Sequence, residues 1–168
     1  MPQTVTTRPA QPEDSAEIAA LHARAMGPGR FARTAYRVRE GTREAFSPFC
    51  RVCLIEGRMA AAVRFTRIAI GGKEGALLLG PLAVDPDFAN QGYGRGLVAQ
   101  ALQDARPPGI ALVVLVGDEP YYGRLGFRRT PRGQIVLPGP VDPDRLLAVE
   151  LAPGALATYS GLVTAAPP

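Results

Sequence analysis

The sequence predicts an α/β (α+β) domain with a mixed, partly parallel central sheet. An apolar strand at residues 77–84 is followed by a glycine-rich loop, a helix and the continuous apolar run ALVVLVG at 111–117. Because strand, helix and strand in this order form a parallel crossover unit, part of the sheet is expected to be parallel. Ahead of this unit, two strand-like segments joined by a short turn predict an antiparallel hairpin, so the sheet is expected to be mixed.

The first forty residues predict a strand and two helices. QTVTTRP at 3–9 is typical of a short strand. From Pro12, which a helix tolerates in its first turn, EDSAEIAALHARAM repeats its apolar residues at helical spacing and begins with acidic residues. The GPG segment at 27–29 is expected to end this helix, and FARTAYRVREG at 31–41 predicts a second, shorter one.

A hairpin comes next. CRVCLIE at 50–56 and MAAAVRFTRIAI at 59–70 flank the predicted turn residues Gly57 and Arg58, and the glycine pair at 71–72 closes the second strand.

The strand at 77–84 has Gly80 and Pro81 in its middle. Proline cannot donate a hydrogen bond to a sheet, so inside a buried strand it indicates a bulge or a place where two strands part.

The rest of the chain predicts one helix and further strands. The apolar residues that recur at three and four positions after the glycine loop are Leu97, Val98, Ala101, Leu102 and Ala105. They predict a helix with one buried face, which PPG at 107–109 ends. Two more strands are expected around residues 134–137 and 146–151.

Length and composition favour one globular domain over residues 1–168, since 46% of the residues are hydrophobic. The longest uncharged apolar run, residues 107–117, is about half of what a membrane-spanning helix needs. The start MPQTVTTRP lacks the apolar block of a signal peptide, so a cytoplasmic location without a membrane partner is expected.

The net charge is +4, and Lys73 is the single lysine among 19 basic residues. This excess suits an anionic small ligand or simply solubility, and it is too small and scattered to favour nucleic acid. Arg30, Arg33 and Arg37 could share a helical face, either as a solvated surface or as a patch that binds carboxylates.

Cys50 and Cys53 form a C-x-x-C pair without a second pair downstream. Positions three apart on a strand point to opposite faces, so we interpret both cysteines as packing residues and expect no metal site.

The segment PDFANQGYGRGLV at 86–98 has glycine at 92, 94 and 96. Small residues before a helix expose unpaired N–H groups and the positive end of the helix dipole, which attract phosphate. The dinucleotide pattern G-x-G-x-x-G fails at Leu97, and the G-K-[ST] of a P-loop is absent from the sequence.

LLLGPLAVDPDFANQGYGRGLVAQAL and VVLVGDEPYYGRLGF together resemble the GNAT superfamily of N-acetyltransferases, and most closely its bacterial YhbS-like branch. The specific resemblance covers residues 78–127, and the order of elements fits from residue 4. It implies the GNAT fold, a twisted, mixed sheet of about six or seven strands with helices on both faces. It also implies transfer of an acetyl group from acetyl-CoA directly to a primary amine of a small molecule or peptide.

The family's pyrophosphate loop, [Q/R]-x-x-G-x-[G/A], fits the sequence in two registers. One uses Gln91, Gly94 and Gly96; the other uses Ala89, Gly92 and Gly94. Spacing from the preceding proline favours the second register, in which Ala89 stands where the family usually has Gln or Arg. We expect backbone N–H groups to hold the phosphates.

The resemblance places the acetyl-bearing arm of the cofactor along the bulged strand and its phosphates on the glycine loop. The residues assigned to acetyl-CoA are Leu82, Ala83, Val84, Ala89, Asn90, Gln91, Gly92, Tyr93, Gly94, Arg95, Asp118 and Tyr121.

The resemblance also implies a catalytic acid, because family members commonly have a tyrosine four residues before a Gly-Phe pair. Tyr122 has this position ahead of Gly126 and Phe127. A phenol, with a reference pKa of about 10, can protonate a departing thiolate at neutral pH. Tyr121 is expected to form a wall of the pocket, and packing beneath the last strands is the alternative for both tyrosines.

The general base stays open. The bulged strand has no acidic residue where relatives often have Glu, and Asp85 comes just after it. The alternatives are that Asp118 acts as the base through a water molecule, that Glu56 is the base, or that the amine arrives already neutral. We interpret His22 as a packed or surface residue. Besides an acetyltransferase, the sequence is compatible with a non-catalytic acyl-CoA-binding sensor or regulatory module, or with an interaction protein, and a homodimer is one expectation for its assembly.

Overall fold

The computed structural model describes residues 3–27, 38–39 and 46–167. Most of the helix predicted at 31–41 lies outside these residues. Arg30, Arg33 and Arg37 lie outside them as well.

The described part of the chain forms nine strands and three α-helices, and residues 38–39 are also helical. The strands are β1 Val5–Pro9, β2 Arg51–Ile55, β3 Arg58–Ile70, β4 Lys73–Val84, β5 Leu112–Val116, β6 Arg128–Arg129, β7 Ile135–Val136, β8 Leu146–Glu150 and β9 Gly161–Ala165. The helices are α1 Ser15–Met26, α2 Tyr93–Ala105 and the short α3 Glu119–Tyr122. None of these helices is long and apolar enough to cross a membrane.

The strands form one mixed sheet in the order β1-β2-β3-β4-β5-β8-β6, and β9 pairs with both β3 and β7. The β4–β5 pair is parallel, as the crossover predicted, and the hairpins β2–β3 and β3–β4 are antiparallel. The count exceeds the expected six or seven strands because the two-residue strand β6 and the strand β9 were not predicted, whereas the strand expected around 134–137 is β7. Only Val163 of β9 is buried, so its sequence carries little strand signal, and its pairing with the long β3 determines its conformation.

Helices α1 and α2 cover opposite faces of the sheet, as predicted. Leu21 of α1 packs in a cluster with Val52, whereas Val98 of α2 packs in a cluster with Cys53. Successive strand residues point to opposite faces, so the two helices lie on different sides of β2. All five apolar positions predicted for α2 are buried.

Two local predictions differ in detail from the structure. A turn of 3-10 helix at Pro12–Asp14 precedes α1, which ends before Gly27. The β2–β3 turn consists of Glu56 and Gly57, not Gly57 and Arg58. Both turn residues have positive φ, 50° and 77°, as the tight turn of a two-residue hairpin requires.

Cys50 and Cys53 are buried and free, which confirms that they pack in the core. The Sγ atom of Cys50 lies 3.3 Å from the backbone nitrogen of Phe65, and Cys53 belongs to the cluster under α2. Within the described residues, no three His, Cys, Asp or Glu side chains form a group that could hold a metal ion.

Strand β4 has the predicted bulge. Val63 pairs with Leu82 and Phe65 pairs with Leu79, so one residue of β3 faces the two residues Gly80 and Pro81. The peptide bond between these two is cis. The bulge leaves β4 paired with β3 on both sides of the irregularity, up to Val84.

Candidate active site

Strands β4 and β5 part in the middle of the sheet. Their parallel pairing runs from Ala76–Leu112 to Leu78–Val114 and ends there, although β4 continues to Val84. The part of β4 that follows Leu78 is therefore hydrogen-bonded to β3 but not to β5. A backbone edge at this point can pair with an extended ligand in place of a strand.

Three residues of β4 were predicted to contact the acetyl-bearing arm of the cofactor, and their side chains point to different faces of the sheet. Leu82 and Val84 are half-buried and pack against the cluster under α2. Ala83 is buried in the cluster with Leu21 of α1, on the other face. Its side chain is thus turned away from α2, and Ala83 can contact a ligand on the α2 side only through its backbone.

The glycine loop turns into α2 through left-handed backbone conformations. Asn90 has φ of 62° and Gly92, the N-cap of α2, has φ of 86°. The first helical hydrogen bond runs from Gly96 N to Gly92 O. The N–H groups of Tyr93, Gly94 and Arg95 precede this bond, so they are available to an anion at the positive end of the helix dipole.

The side chains of the loop before α2 contribute little to a binding site at the start of that helix. Ala89, Asn90 and Gln91 are all exposed, and Gly92 has no side chain with which to cap the helix. Binding by this loop would therefore depend mainly on its backbone.

Gly94 is buried where three elements meet. A Cβ atom added to Gly94 would lie 2.9 Å from Tyr121 Oη, 3.0 Å from Val84 Cγ2 and 3.4 Å from Leu82 Cδ2. Residues of the bulged strand, the glycine loop and α3 thus converge on one point, as the assignment of all three segments to one ligand requires.

The two adjacent tyrosines of α3 have different surroundings. The Tyr122 ring packs against the cluster under α2, with its centroid 5.8 Å from that of Phe127 in an edge-to-face contact. A Cβ atom at Gly117 would lie 2.6 Å from Tyr122 Cε2, so a glycine is needed beneath this ring. Tyr121 is more exposed, and its hydroxyl reaches the start of α2.

Asp85 is buried directly after β4 and is fully engaged. It accepts hydrogen bonds from Arg24 Nε at 3.1 Å, from Arg58 Nη2 at 3.2 Å and from the backbone N–H of Asp87 at 2.9 Å. The Asp87 N–H and the two guanidinium charges lower the pKa of Asp85 despite its burial. A carboxylate stabilised in this way is a poor proton acceptor.

Asp118 and Glu56, two other candidate bases, both have partners in the chain. Asp118 precedes α3 with a largely exposed side chain and forms an ion pair with Arg145 at 3.4 Å. Glu56 is in the β2–β3 turn, where its carboxylate accepts a hydrogen bond from Thr4 N at 2.7 Å, so it is held toward the β1 edge of the sheet. His22 is buried on α1 beside Leu21.

A charged groove, which the sequence did not indicate, borders Tyr121. Its charged lining residues are Asp118, Glu119, Arg129, Asp144 and Arg145. Arg129 Nε lies 3.3 Å from Glu119 Oε1, and Arg129 Nη1 lies 3.7 Å from Asp144 Oδ1. These residues come from three separate segments, so only the folded chain brings them together.

Comparison with known proteins identifies the family to which this fold and loop belong. Residues 16–127 match the acetyltransferase (GNAT) family, and the chain belongs to that family. The matched segment includes all of α1 but its first residue, and it includes the bulged strand, the glycine loop and both tyrosines of α3.

Two solved structures and one curated relative are similar to the chain. The uncharacterised N-acetyltransferase YhbS of Escherichia coli K12 is 31% identical over 109 residues, which are 64% of this chain and 65% of YhbS. The match thus spans just under two thirds of that relative. The crystal structure of E. coli YhbS in complex with CoA has a TM-score of 0.83 and 27% identity, covering 99% of this chain and 92% of YhbS. A GNAT family acetyltransferase from Brucella melitensis in complex with acetyl-CoA has a TM-score of 0.63 and 28% identity, covering 86% of this chain and 95% of that protein.

Replacing Asp85 with Asn should lower the free energy of unfolding by about 1–2 kcal/mol, because it removes the charge that Arg24 and Arg58 share. The pKa of Asp85 is lowered from its ordinary value of 3.8, so its contribution is complete above that pH and is lost as the pH falls through the native pKa. Urea unfolding from pH 7 to pH 3 should therefore show wild type and Asp85→Asn converging at the acid end.

Asp87→Asn is the matched control, because the Asp87 carboxylate is 67% exposed and its salt bridge is with Arg58 at the surface. It should leave stability nearly unchanged. Equal effects of the two substitutions would contradict the structural role of Asp85.

Replacing Gly94 with Ala should weaken binding of acetyl-CoA at least tenfold, because the new methyl group enters the point where Leu82, Val84 and Tyr121 converge. Gly96→Ala is the control within the same helix, since a Cβ atom there meets nothing within 4 Å. Gly96→Ala should keep the affinity and stabilise α2 by roughly 0.5–1 kcal/mol. Calorimetric titration measures both affinities, and a larger loss in Gly96→Ala would favour the alternative loop register.

Proposed function

We propose that this chain transfers the acetyl group of acetyl-CoA directly to a primary amine of a small molecule or peptide. The observation that carries the proposal is the opening between β4 and β5, which lies beside the glycine loop and the start of α2. The CoA and acetyl-CoA complexes of the two similar proteins support the choice of ligand.

In this proposal the pyrophosphate is held by the N–H groups at the start of α2, and the loop segment 89–92 wraps around it. The pantetheine arm then runs along Leu82 and Val84, hydrogen-bonded to the β4 backbone where β5 has separated. One of these backbone N–H groups polarises the thioester carbonyl. Because the strands part at Leu78, the carbonyl lies in a gap that an amine can enter.

The chemical step requires a neutral amine, an exposed carbonyl carbon and a proton for the leaving group. The amine nitrogen attacks the carbonyl carbon, the C–S bond breaks, and the CoA thiolate takes a proton from the Tyr122 hydroxyl. The proton that the amine loses passes to solvent, from which Tyr122 is reprotonated. This scheme needs no carboxylate base, which suits a chain in which the buried acid directly after β4, Asp85, is already bound by two arginines.

A non-catalytic acyl-CoA-binding sensor is the second candidate function. The observation in its favour is the absence of an acidic residue from residues 77–84, the part of β4 that contains the bulge, together with the neutralisation of Asp85. Both functions need the same cofactor site, so turnover distinguishes them.

The first experiment is calorimetric titration of the purified chain with acetyl-CoA and, separately, with NADH. Saturable micromolar binding of acetyl-CoA alone supports both candidate functions and justifies a screen of amines. Absence of binding would overturn the proposal.

Gly92→Asp should abolish acetyl-CoA binding, because it places a carboxylate where the phosphates approach the helix. Gly92→Asn is the matched control: Asn tolerates the left-handed φ of 86°, and a Cβ atom at this position meets nothing within 4 Å. The Asn variant should retain most of the affinity. An equal loss in both variants would point to size instead of charge, and normal binding by Gly92→Asp would contradict the loop assignment.

Tyr122→Phe should lower kcat with any accepted amine by at least 100-fold while changing the acetyl-CoA affinity little, because it removes the proton donor and keeps the ring. Steady-state kinetics and calorimetry measure the two quantities. Equal losses in kcat and affinity would assign Tyr122 to the pocket wall.

A further inference from the structure

Tyr121 stands beside the start of α2, although it belongs to a different element. Its hydroxyl oxygen would lie 2.9 Å from a Cβ atom at Gly94, the second residue of α2. Within the described residues, no hydrogen-bond acceptor for this hydroxyl is found in the chain itself. The hydroxyl is therefore a polar group that reaches the anion-binding end of α2 without being required by the fold.

The electrostatic surroundings keep this hydroxyl a donor. Burial raises the pKa of Tyr121, and the positive charge of Arg95 only partly opposes this effect. The phenol is thus protonated at neutral pH. An O–H directed at a ligand anion forms a stronger hydrogen bond than an O–H directed at a neutral acceptor.

The neighbouring tyrosine does not share this position. Tyr122 packs its ring against Phe127 and the cluster under α2, and the two tyrosine rings meet edge to face with centroids 4.8 Å apart. The short helix α3 thus holds the Tyr121 ring by its contact with Tyr122, while the Tyr121 hydroxyl extends toward Gly94. Two adjacent residues of the same type can then perform different tasks.

We propose that Tyr121 Oη donates a hydrogen bond to the pyrophosphate of the CoA thioester and so acts as a cofactor-positioning residue. This inference rests on the proposed function, because it needs the pyrophosphate at the start of α2. Tyr121 would complete a ring of donors formed by the N–H groups of Tyr93, Gly94 and Arg95. The loop has no charged side chain between residues 89 and 94, so this hydroxyl would add a side-chain donor supplied by another element.

The test uses Tyr121→Phe and two fragments of the cofactor, with NMR titration for weak ligands and calorimetry for acetyl-CoA. Adenosine 3′-phosphate 5′-diphosphate has the pyrophosphate without the arm, and S-acetylpantetheine has the arm without phosphate. The substitution should weaken acetyl-CoA and the diphosphate fragment by a similar factor of about 10, the loss of one hydrogen bond to a charged group. The affinity of the Tyr121→Phe variant for S-acetylpantetheine should stay within twofold of the wild-type affinity.

Tyr159→Phe is the matched control for removal of a buried hydroxyl. Tyr159 Oη donates a 2.6 Å hydrogen bond to the Glu74 carbonyl, away from the cofactor site. Its loss should lower the melting temperature and leave the acetyl-CoA affinity unchanged. Tyr121→Phe should show the opposite behaviour, with weaker binding and an unchanged melting temperature without ligand.

The outcomes separate this inference from the function on which it rests. Failure of wild type to bind acetyl-CoA overturns both. Binding by wild type with unchanged affinity in Tyr121→Phe overturns the role of Tyr121 alone. Weaker binding of S-acetylpantetheine by Tyr121→Phe would place the hydroxyl on the arm and also overturn the inference as stated.

Discussion

The separation of β4 from β5 is the constraint on which the rest of the structure depends. Up to Leu78 the two strands share a parallel ladder within the core, and after Leu78 β4 is paired with β3 alone. The bulge at Gly80 and Pro81 lets β4 change direction without leaving β3. A backbone edge in the middle of a sheet, which would ordinarily be paired, thus becomes available to a ligand.

Charge organises the loop that follows. Asp85 joins α1 and β3 to the start of the glycine loop, because Arg24 and Arg58 both bind its carboxylate. This arrangement also neutralises the negative charge of a carboxylate that is buried directly after β4. A paired carboxylate opposes the binding of an anion less than an unpaired one does.

The periodicity of strands and helices explains why the site is formed by several elements, each of which contributes few side chains. Leu82 and Val84 face α2, whereas Ala83 faces α1, because strand residues alternate. On α3, consecutive residues point about 100° apart, so the Tyr122 ring packs against the cluster under α2 while the Tyr121 hydroxyl reaches Gly94. Small changes in the position of α3 would consequently act on both tyrosines.

The sequence by itself determined the crossover unit, the bulge and the helical faces, because these depend on local periodicity and on the backbone limits of glycine and proline. Leu97 and Val98 are buried where their spacing predicted, and Gly80 with Pro81 lies where β4 changes register. Only the tertiary structure decided that Arg24 and Arg58 bind Asp85, that Tyr121 and not Tyr122 reaches Gly94, and that β9 joins the sheet. These contacts join residues far apart in the chain, whose distances depend on packing and leave no local pattern in the sequence.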